Sequence, residues 1–213
     1  MRSITVLFAA YCLGVSATAM SAGEPVQVTG DAEAGKGKAA VCAACHGAQG
    51  VSNNPQWPNL AGQNAKYIEK QLHNFKNPEE SGRNNPVMYG QVVNLSDQDM
   101  ADLAAYFATL PRAKGVADPE LAELGRELYR GGNQERGISA CIGCHSPAGQ
   151  GNAAAAWPAL SGQHAEYTKL QLYAFRSMER ANDPNQMMRS VASLLNDQDI
   201  EALATYLQGL RPD

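Results

Sequence analysis

The chain contains the stretch CAACH at residues 42–46, and the same C-x-x-C-H pattern returns as CIGCH at residues 141–145. On a helical turn, two cysteines three positions apart and a histidine four positions after the first cysteine share one face. Such a face can join two sulfurs to the vinyl groups of a haem and place an imidazole beside its iron. The spacing therefore predicts two covalently attached haem c groups. The predicted thioether positions and histidine ligands are Cys42, Cys45 and His46 for the first haem, and Cys141, Cys144 and His145 for the second.

Two other chemistries also use closely spaced cysteines. A zinc site would need a second C-x-x-C or a downstream pair of histidines for each motif, and the sequence contains neither. A thioredoxin-like redox pair lacks the trailing histidine and requires a βαβ context. No alternating apolar run in the sequence indicates a sheet. Two copies of the pentapeptide in one short chain favour haem attachment.

The N-terminus has the pattern of a secretory signal peptide. Arg2 precedes an apolar run at residues 4–15, which is too short to span a bilayer, and small residues follow it. We predict a signal peptide over residues 1–22, cleaved after Ala19 or Ala22. Because c-type haem is attached outside the cytoplasm, this segment agrees with the C-x-x-C-H motifs.

The remaining cysteines and the charge set further bounds. Cys12 lies within the signal segment, and the other four cysteines all belong to the two motifs, so none is left for a disulfide. The net charge is −4, and the sequence has no basic stripe of the kind that binds nucleic acid. Each half of the chain is short for a self-sufficient core, to which a buried haem would add apolar surface.

The second half of the chain repeats the first. Residues 157–177 match residues 57–77 at an offset of 100, and residues 195–210 match residues 95–110 at the same offset. The two C-x-x-C-H motifs match at an offset of 99, so one residue has been gained after the second motif. This repeat predicts two homologous domains in tandem.

Helical signals dominate both repeats, and we predict an all-α fold. Asp31 and Ser96 are expected to cap helices, and Asp118 opens another with Pro119 in its first position. Gly35 and its counterpart Gly125 are expected to allow the first helix of each domain to lie close to the last. The predicted domains are residues 23–111 and 119–213, joined by a linker at residues 112–118.

The repeat also suggests the second ligand of each iron. Met88 corresponds to Met188, and each lies seven residues before the leucine that precedes the last helix, after a loop rich in Asn and Pro. A thioether suits an iron that cycles between two oxidation states, and His/Met ligation raises its potential. The neighbouring Met187 is the alternative in the second domain, but the register of the repeat favours Met188.

Other candidate ligands lack an equivalent in both domains. Met100 replaces Ile200 on an apolar helix face and is expected in the core, and Met178 replaces a proline. His73 and His164 replace Tyr and Asn, so both are expected to be surface or cap residues.

Two prolines follow the haem motifs at similar distances. Pro58 and Pro158 lie 12 and 13 residues after His46 and His145. A proline carbonyl can accept the imidazole N–H and hold the ring, whereas a simple turn after the preceding tryptophan is the alternative.

With these residues in place, the chain resembles the dihaem cytochrome c4 family over nearly its whole mature length. The resemblance rests on the two C-x-x-C-H motifs and on GDAEAGKGK at 30–38, LSDQD at 95–99, RGG at 130–132 and YLQGL at 206–210. It implies two class I cytochrome c domains related by a pseudo-twofold axis. It also implies His46/Met88 and His145/Met188 as axial pairs, and it favours Pro58 as the acceptor of the histidine N–H.

The resemblance further implies a periplasmic electron carrier, often membrane-associated, that passes electrons toward a terminal oxidase. A quinol–cytochrome c reductase or a dehydrogenase is then the expected donor, and no small-molecule substrate is expected. The alternatives are a cytochrome subunit or acceptor of a periplasmic dehydrogenase that oxidises sulfur compounds, or a dihaem enzyme such as a peroxidase or a thiosulfate dehydrogenase. The methionine in both domains argues against an enzyme, which would need an open or unusual iron position.

Overall fold

The computed structural model describes residues 29–211, so the predicted signal peptide and residues 23–28 lie outside the described residues. Residues 29–211 form eleven α-helices and one 3-10 turn, with no strand beyond three isolated bridges. The all-α prediction is confirmed for this part of the chain. No helix among the same residues combines the length and the apolar content needed to cross a bilayer.

Each domain begins with a helix near its haem motif and ends with a long helix. The first domain contains α1 (Ala32–Lys38), α2 (Ala40–His46), α3 (Ala65–Lys76), α4 (Pro78–Ser81), α5 (Pro86–Val92) and α6 (Asp97–Thr109). The second contains α7 (Pro119–Gly131), α8 (Ile142–His145), α9 (Ala165–Arg176), the 3-10 turn Pro184–Gln186, α10 (Met187–Ala192) and α11 (Asp197–Gly209).

The predicted helix starts are confirmed by their side-chain caps. The Asp31 carboxylate accepts from two backbone N–H groups of the first turn of α1, and Asp118 caps α7. Ser96 and Asp99 form a reciprocal capping box at the start of α6, in which each side chain accepts from the other's backbone N–H. These caps satisfy backbone donors that the first helical turn leaves unpaired.

The first and last helices of each domain lie in close contact, as predicted from two glycines. A Cβ atom on Gly35 would lie 2.0 Å from the Asp102 carbonyl oxygen of α6. A Cβ atom on Gly125 would lie 2.1 Å from the Ala202 carbonyl oxygen of α11. The absence of a side chain therefore sets the distance between these helices.

The last helix of each domain supplies much of the core. Helix α6 packs against α1 and α3, and α11 packs against α7 and α9. Met100 is fully buried, which confirms its prediction as a core residue. The buried apolar clusters comprise Ala39, Ile68, Leu103, Ala104 and Phe107 in the first domain, and Leu128, Tyr129, Ile138, Leu195, Ile200, Leu203 and Leu207 in the second.

The segment before Met88 is more ordered than the predicted loop. It contains one helical turn, α4, and Met88 lies on the short helix α5. Prolines occupy the first turns of both helices, and the Asn85 side chain accepts from the Met88 N–H at 3.0 Å. The Asn and Pro residues of this segment therefore begin two short helices as well as forming a loop.

The two domains meet through polar side chains. The side chains of Asn64 and His164, at the N-caps of α3 and α9, donate to the carbonyls of Trp157 and Ser52 in the other domain, at 2.7 and 2.9 Å. Arg112, in the connection between the domains, donates to the Gly62 carbonyl at 2.9 Å. His164 thus occupies an N-cap position, but its side chain bonds to the other domain and makes no capping bond to α9.

Candidate haem sites

Each buried histidine of the C-x-x-C-H motifs donates to a proline carbonyl. In the first domain, His46 Nδ1 lies 2.9 Å from the Pro58 oxygen, and in the second, His145 Nδ1 lies 3.0 Å from the Pro158 oxygen. A carbonyl oxygen only accepts, so Nδ1 carries the proton and Nε2 keeps its lone pair. Each imidazole is therefore oriented with one nitrogen free to bind a metal.

Burial sets the protonation state of both rings. It lowers the pKa of His46 and of His145, although the hydrogen bond to the proline carbonyl acts in the opposite direction. The neutral imidazole is the form that ligates a metal. The two histidines are thus in the state that iron coordination requires at neutral pH.

A tight loop brings each proline carbonyl to its histidine. Gly50, at φ +67°, accepts from the N–H groups of Leu60 and Ala61 at 2.8 and 3.0 Å. Ser52 then ties the loop to the haem motif, since its hydroxyl donates to the Cys45 carbonyl at 2.8 Å. Hydrogen bonds on both sides of Pro58 therefore hold the loop in place.

The second domain closes its loop in a related way despite the extra residue. Gly149, at φ +65°, accepts from the N–H groups of Leu160 and Ser161 at 2.8 and 3.1 Å. Asn152 and Trp157 form an isolated two-way backbone bridge that accommodates the inserted residue. The proline carbonyl reaches the histidine in both domains even though the spacing differs.

The four motif cysteines differ in exposure. Cys42 and Cys141 are half-buried and pack against the cores of their domains, whereas Cys144 is exposed. Burial raises the pKa of the Cys42 thiol and that of Cys141, the latter to about 11. Each motif thus places two cysteine sulfurs next to a neutral imidazole, a donor set that fits a covalently attached haem.

The predicted methionine ligands lie on short helices that pack against the third helix of each repeat. Met88 on α5 and Met188 on α10 are both half-buried, whereas Met187 is 38% exposed. Helix α5 packs on α3, and α10 packs on α9. Met88 and Met188 therefore lie on corresponding short helices of the two repeats.

The start of α10 differs from that of α5. Asn185 and Gln186 adopt left-handed backbone conformations in a 3-10 turn before Met187. Buried Asp183 accepts from the Arg189 N–H at 2.9 Å and pairs with its Nε at 2.7 Å. The Asp183 carboxylate thus accepts from a backbone N–H of α10, as the Asn85 side chain does from α5.

Sequence reasoning gave no role to several residues around these sites. Tyr129 is fully buried in the second domain, and its hydroxyl donates to the Ser146 carbonyl at 2.6 Å, next to His145. Gln63 and Gln163 bond to the backbone beside Pro158 and Pro58. Gln63 and Gln163 correspond in the repeat, which was a signal in the sequence. This correspondence does not show that each side chain contacts the other domain.

Comparison with known proteins shows which family these two domains match. The family model for cytochrome c matches residues 32–111 and again residues 122–211. Cytochrome c4 of Azotobacter vinelandii is 53% identical over 188 residues, covering 85% of this chain and 90% of that protein. The crystal structure of reduced recombinant cytochrome c4 from Pseudomonas stutzeri superposes with a TM-score of 0.83 at 50% identity, covering 86% of this chain and all of the other.

A relative of lower sequence identity is an electron acceptor of a dehydrogenase. The thiosulfate dehydrogenase electron acceptor of Stutzerimonas stutzeri is 38% identical over 172 residues, covering 79% of this chain and 78% of that protein. Both kinds of relative thus match most of this chain.

Proposed function

The chain belongs to the cytochrome c4 family, and we propose that it relays single electrons between periplasmic proteins of a respiratory chain. Members of this family carry electrons and are not enzymes, and the two cytochrome c domains bind two haem c groups covalently.

We assign the thioether bonds to the four motif cysteines, and the axial pairs to His46 with Met88 and His145 with Met188. When bound, a haem c with these ligands supplies a one-electron Fe(III)/Fe(II) couple of raised potential. The observation that carries the assignment is the duplicated bond between a buried histidine and a proline carbonyl, at 2.9 and 3.0 Å. Each carbonyl holds the ring and strengthens the imidazole as a ligand.

An iron held by both a histidine and a methionine would have no position left for a substrate. Exposed apolar residues next to the assigned ligands support contact with partner proteins instead. Val41 precedes Cys42 and is 63% exposed, and Val87 precedes Met88 and is 68% exposed. Such a surface suits the small and short-lived interfaces of electron-transfer partners. The predicted signal peptide supports a periplasmic location, and we propose a quinol–cytochrome c reductase as donor and a terminal oxidase as acceptor.

A spectrum of the oxidised holoprotein tests the ligand assignment. We expect two haems per chain and a near-infrared sulfur-to-iron charge-transfer band that accounts for both, and we expect no rapid reaction of the reduced protein with carbon monoxide. Met88→His should remove half of the band and lower one potential. Met100→Leu, at a buried methionine that we assign to the core, should change neither. Rapid carbon monoxide binding at both haems would exclude the proposal.

A second candidate is an electron acceptor for a dehydrogenase that oxidises reduced sulfur compounds. The relative described as a thiosulfate dehydrogenase electron acceptor favours it, at 38% identity. Stopped-flow mixing of the oxidised holoprotein with a thiosulfate dehydrogenase and thiosulfate, or with a quinol–cytochrome c reductase and quinol, distinguishes the donors. We expect faster reduction by the reductase, and the reverse order would favour the second candidate.

A further inference from the structure

A groove opens on the surface of the first domain beside the helix that carries Met88. It has a volume of about 480 Å³ and lies between the end of α3, the short helix α4 and the start of α5. Residues 42–46, all of which the structure describes, do not line it, so the groove is separate from the C-x-x-C-H motif. Its lining includes Lys76, Pro78, Glu79, Glu80, Pro86 and Tyr89.

The groove combines apolar and acidic surface. Pro78, Pro86 and the ring of Tyr89, which is 42% exposed, contribute the apolar part. Glu79 and Glu80 are exposed, and within residues 29–211 neither belongs to an ion pair. Carboxylates beside an aromatic ring attract a cationic side chain, because the carboxylates and the face of the ring are both electron-rich.

Lys76 is the one basic residue of the lining, and it bonds outside the groove. Its Nζ donates to the carbonyl of Leu95, between α5 and α6, at 2.6 Å. Among the described residues it forms no ion pair with Glu79 or Glu80. The two carboxylates of the groove are therefore available to a cation from another molecule.

The corresponding segment of the second domain is built differently. A 3-10 turn at Pro184–Gln186 precedes α10, and the structure shows no helix within residues 177–183 that would correspond to α4. Arg189 takes the place of Tyr89, and its guanidinium pairs with buried Asp183. The second domain thus has a cation where the first domain has an aromatic ring.

The location of the groove suits electron exchange with another protein. Pro86 and Tyr89 lie on α5, the helix that carries Met88. Opposite charges on two proteins speed their encounter, and added salt screens this attraction. A contact of small area allows the partners to separate quickly afterwards.

The shape and the chemistry of the groove indicate its occupant. The groove is open to solvent, whereas small-molecule sites enclose most of their ligand. Exposed Val87 extends the apolar surface beyond it. We propose that the groove is the docking site of a redox partner protein whose contact surface presents a lysine or arginine beside apolar residues, and that electrons are exchanged with this partner through the first domain. This inference rests on the proposed function, because it requires a haem held by Met88.

Paramagnetic line broadening on the reduced wild-type holoprotein locates the site without a variant. Tris(phenanthroline)chromium(III) is the probe, because it is a cation with aromatic surface and does not exchange its ligands. We expect it to broaden the amide signals of residues 78–90 more than those of residues 178–190. Hexaamminechromium(III) has the same charge and no aromatic surface, and it should broaden the signals of residues 78–90 about threefold less at the same concentration.

A lysine-rich mitochondrial cytochrome c provides a probe of protein size. Added to the labelled holoprotein, it should shift the amide signals of residues 78–90, and the shifts should fade as salt is added. No shift at low salt, or shifts centred on the second domain, would contradict docking at the groove.

The acidic part of the groove is tested by Glu79→Gln combined with Glu80→Gln. We expect this double variant to be oxidised about threefold more slowly at low salt by tris(phenanthroline)cobalt(III), which takes one electron from the reduced holoprotein and becomes cobalt(II). The matched control is Glu120→Gln combined with Glu127→Gln, which makes the same change in net charge at exposed positions of α7. It should slow the oxidation much less.

The aromatic part of the groove is tested by Tyr89→Arg, which introduces the residue of the second domain. Because the new cation repels the probe, we expect slower oxidation by the cobalt complex and loss of the broadening at residues 78–90. Tyr89→Phe keeps the ring and should retain both.

Three results would overturn the inference. The first is equal broadening at residues 78–90 and 178–190, and the second is oxidation of the Glu79 and Glu80 double variant at the rate of its control. The third is equal broadening by the two chromium complexes, which would mean that the groove attracts any cation and has no preference for apolar surface. Two haems per chain with intact sulfur-to-iron bands would leave the proposed function standing in each case.

Discussion

Gln63 and Gln163 join the two domains by equivalent pairs of hydrogen bonds. The Gln163 side chain accepts from the Asn59 N–H at 2.8 Å and donates to the Asn59 carbonyl at 2.9 Å. Gln63 accepts from the Ala159 N–H at 2.7 Å and donates to the Ala159 carbonyl at 2.9 Å. Asn59 and Ala159 directly follow the prolines that accept from the buried histidines. The backbone that orients each imidazole is therefore held by a side chain of the other domain.

Replacement of either glutamine by leucine should destabilise the holoprotein. Gln63→Leu removes two buried hydrogen bonds and leaves the Ala159 N–H and carbonyl unpaired, which costs about 1–3 kcal/mol. Gln163→Leu should have the same effect through Asn59. Guanidinium chloride unfolding gives the free energy, and Gln49→Leu, at an exposed position, is the control. A loss equal to that of the control would show that the junction contributes no stability.

The contact between α1 and α6 gives a second stability prediction. Gly35→Ala places a methyl group 2.0 Å from the Asp102 carbonyl oxygen, so the helices must separate. We expect a loss of at least about 2 kcal/mol from overpacking. Gly37→Ala in the same helix meets nothing within 4 Å and should raise stability by about 0.5–1 kcal/mol. If both variants unfold at the wild-type denaturant concentration, the close contact does not hold in solution.

The sequence predicted those features that depend on short-range patterns or on the repeat. The caps at Asp31 and Ser96 follow from local hydrogen-bonding chemistry, and both are present. Gly35 and Gly125 were informative because they occupy corresponding positions in the first helix of each repeat. The histidine and the later proline stand at similar spacing in each half, and the structure shows a hydrogen bond between them in both.

The contact between Arg83 and Arg180, whose backbones form an antiparallel bridge, could not be predicted in the same way. At the offset of 100 that aligns most of the repeat, Arg83 corresponds to Asp183, whereas in space its counterpart is Arg180. The segment between the third helix and the arginine is longer in the first domain. The segment between the arginine and the methionine is longer in the second domain. Helix α5 was missed for another reason, because a helix of seven residues depends on packing against α3 more than on its own propensity.

The buried Asp102 gives a prediction about pH. Its carboxylate accepts from the Asp31 N–H at 2.8 Å, from Lys38 Nζ at 2.6 Å and from Gln98 Nε2 at 2.7 Å, and these bonds lower its pKa to about 2. The ionised form thus favours the folded state. This contribution to stability is complete above the ordinary pKa of 3.8 and is lost as the pH falls through the folded value of about 2.

We therefore expect the stability difference between the wild type and Asp102→Asn to shrink as the pH falls from about 5 to about 2. Unfolding of both holoproteins by denaturant at a series of pH values measures it. Glu79→Gln is the control, because Glu79 is exposed and forms no ion pair within the described residues. A difference that stays constant over this interval would contradict the assigned pKa.

The adjacent methionines of α10 give the sharpest test of the second haem site. Met188 is half-buried and matches Met88 in the repeat, whereas Met187 is 38% exposed. We expect Met188→Ala to remove the sulfur-to-iron charge-transfer band of one haem and to lower the potential of that haem, because thioether ligation raises it. Met187→Ala should keep both bands, and Met178→Ala, at another exposed methionine, serves as the control for the loss of a surface thioether. A spectrum in which Met187→Ala loses the band and Met188→Ala keeps it would move the ligand by one residue, and with it the register of the two repeats in this segment.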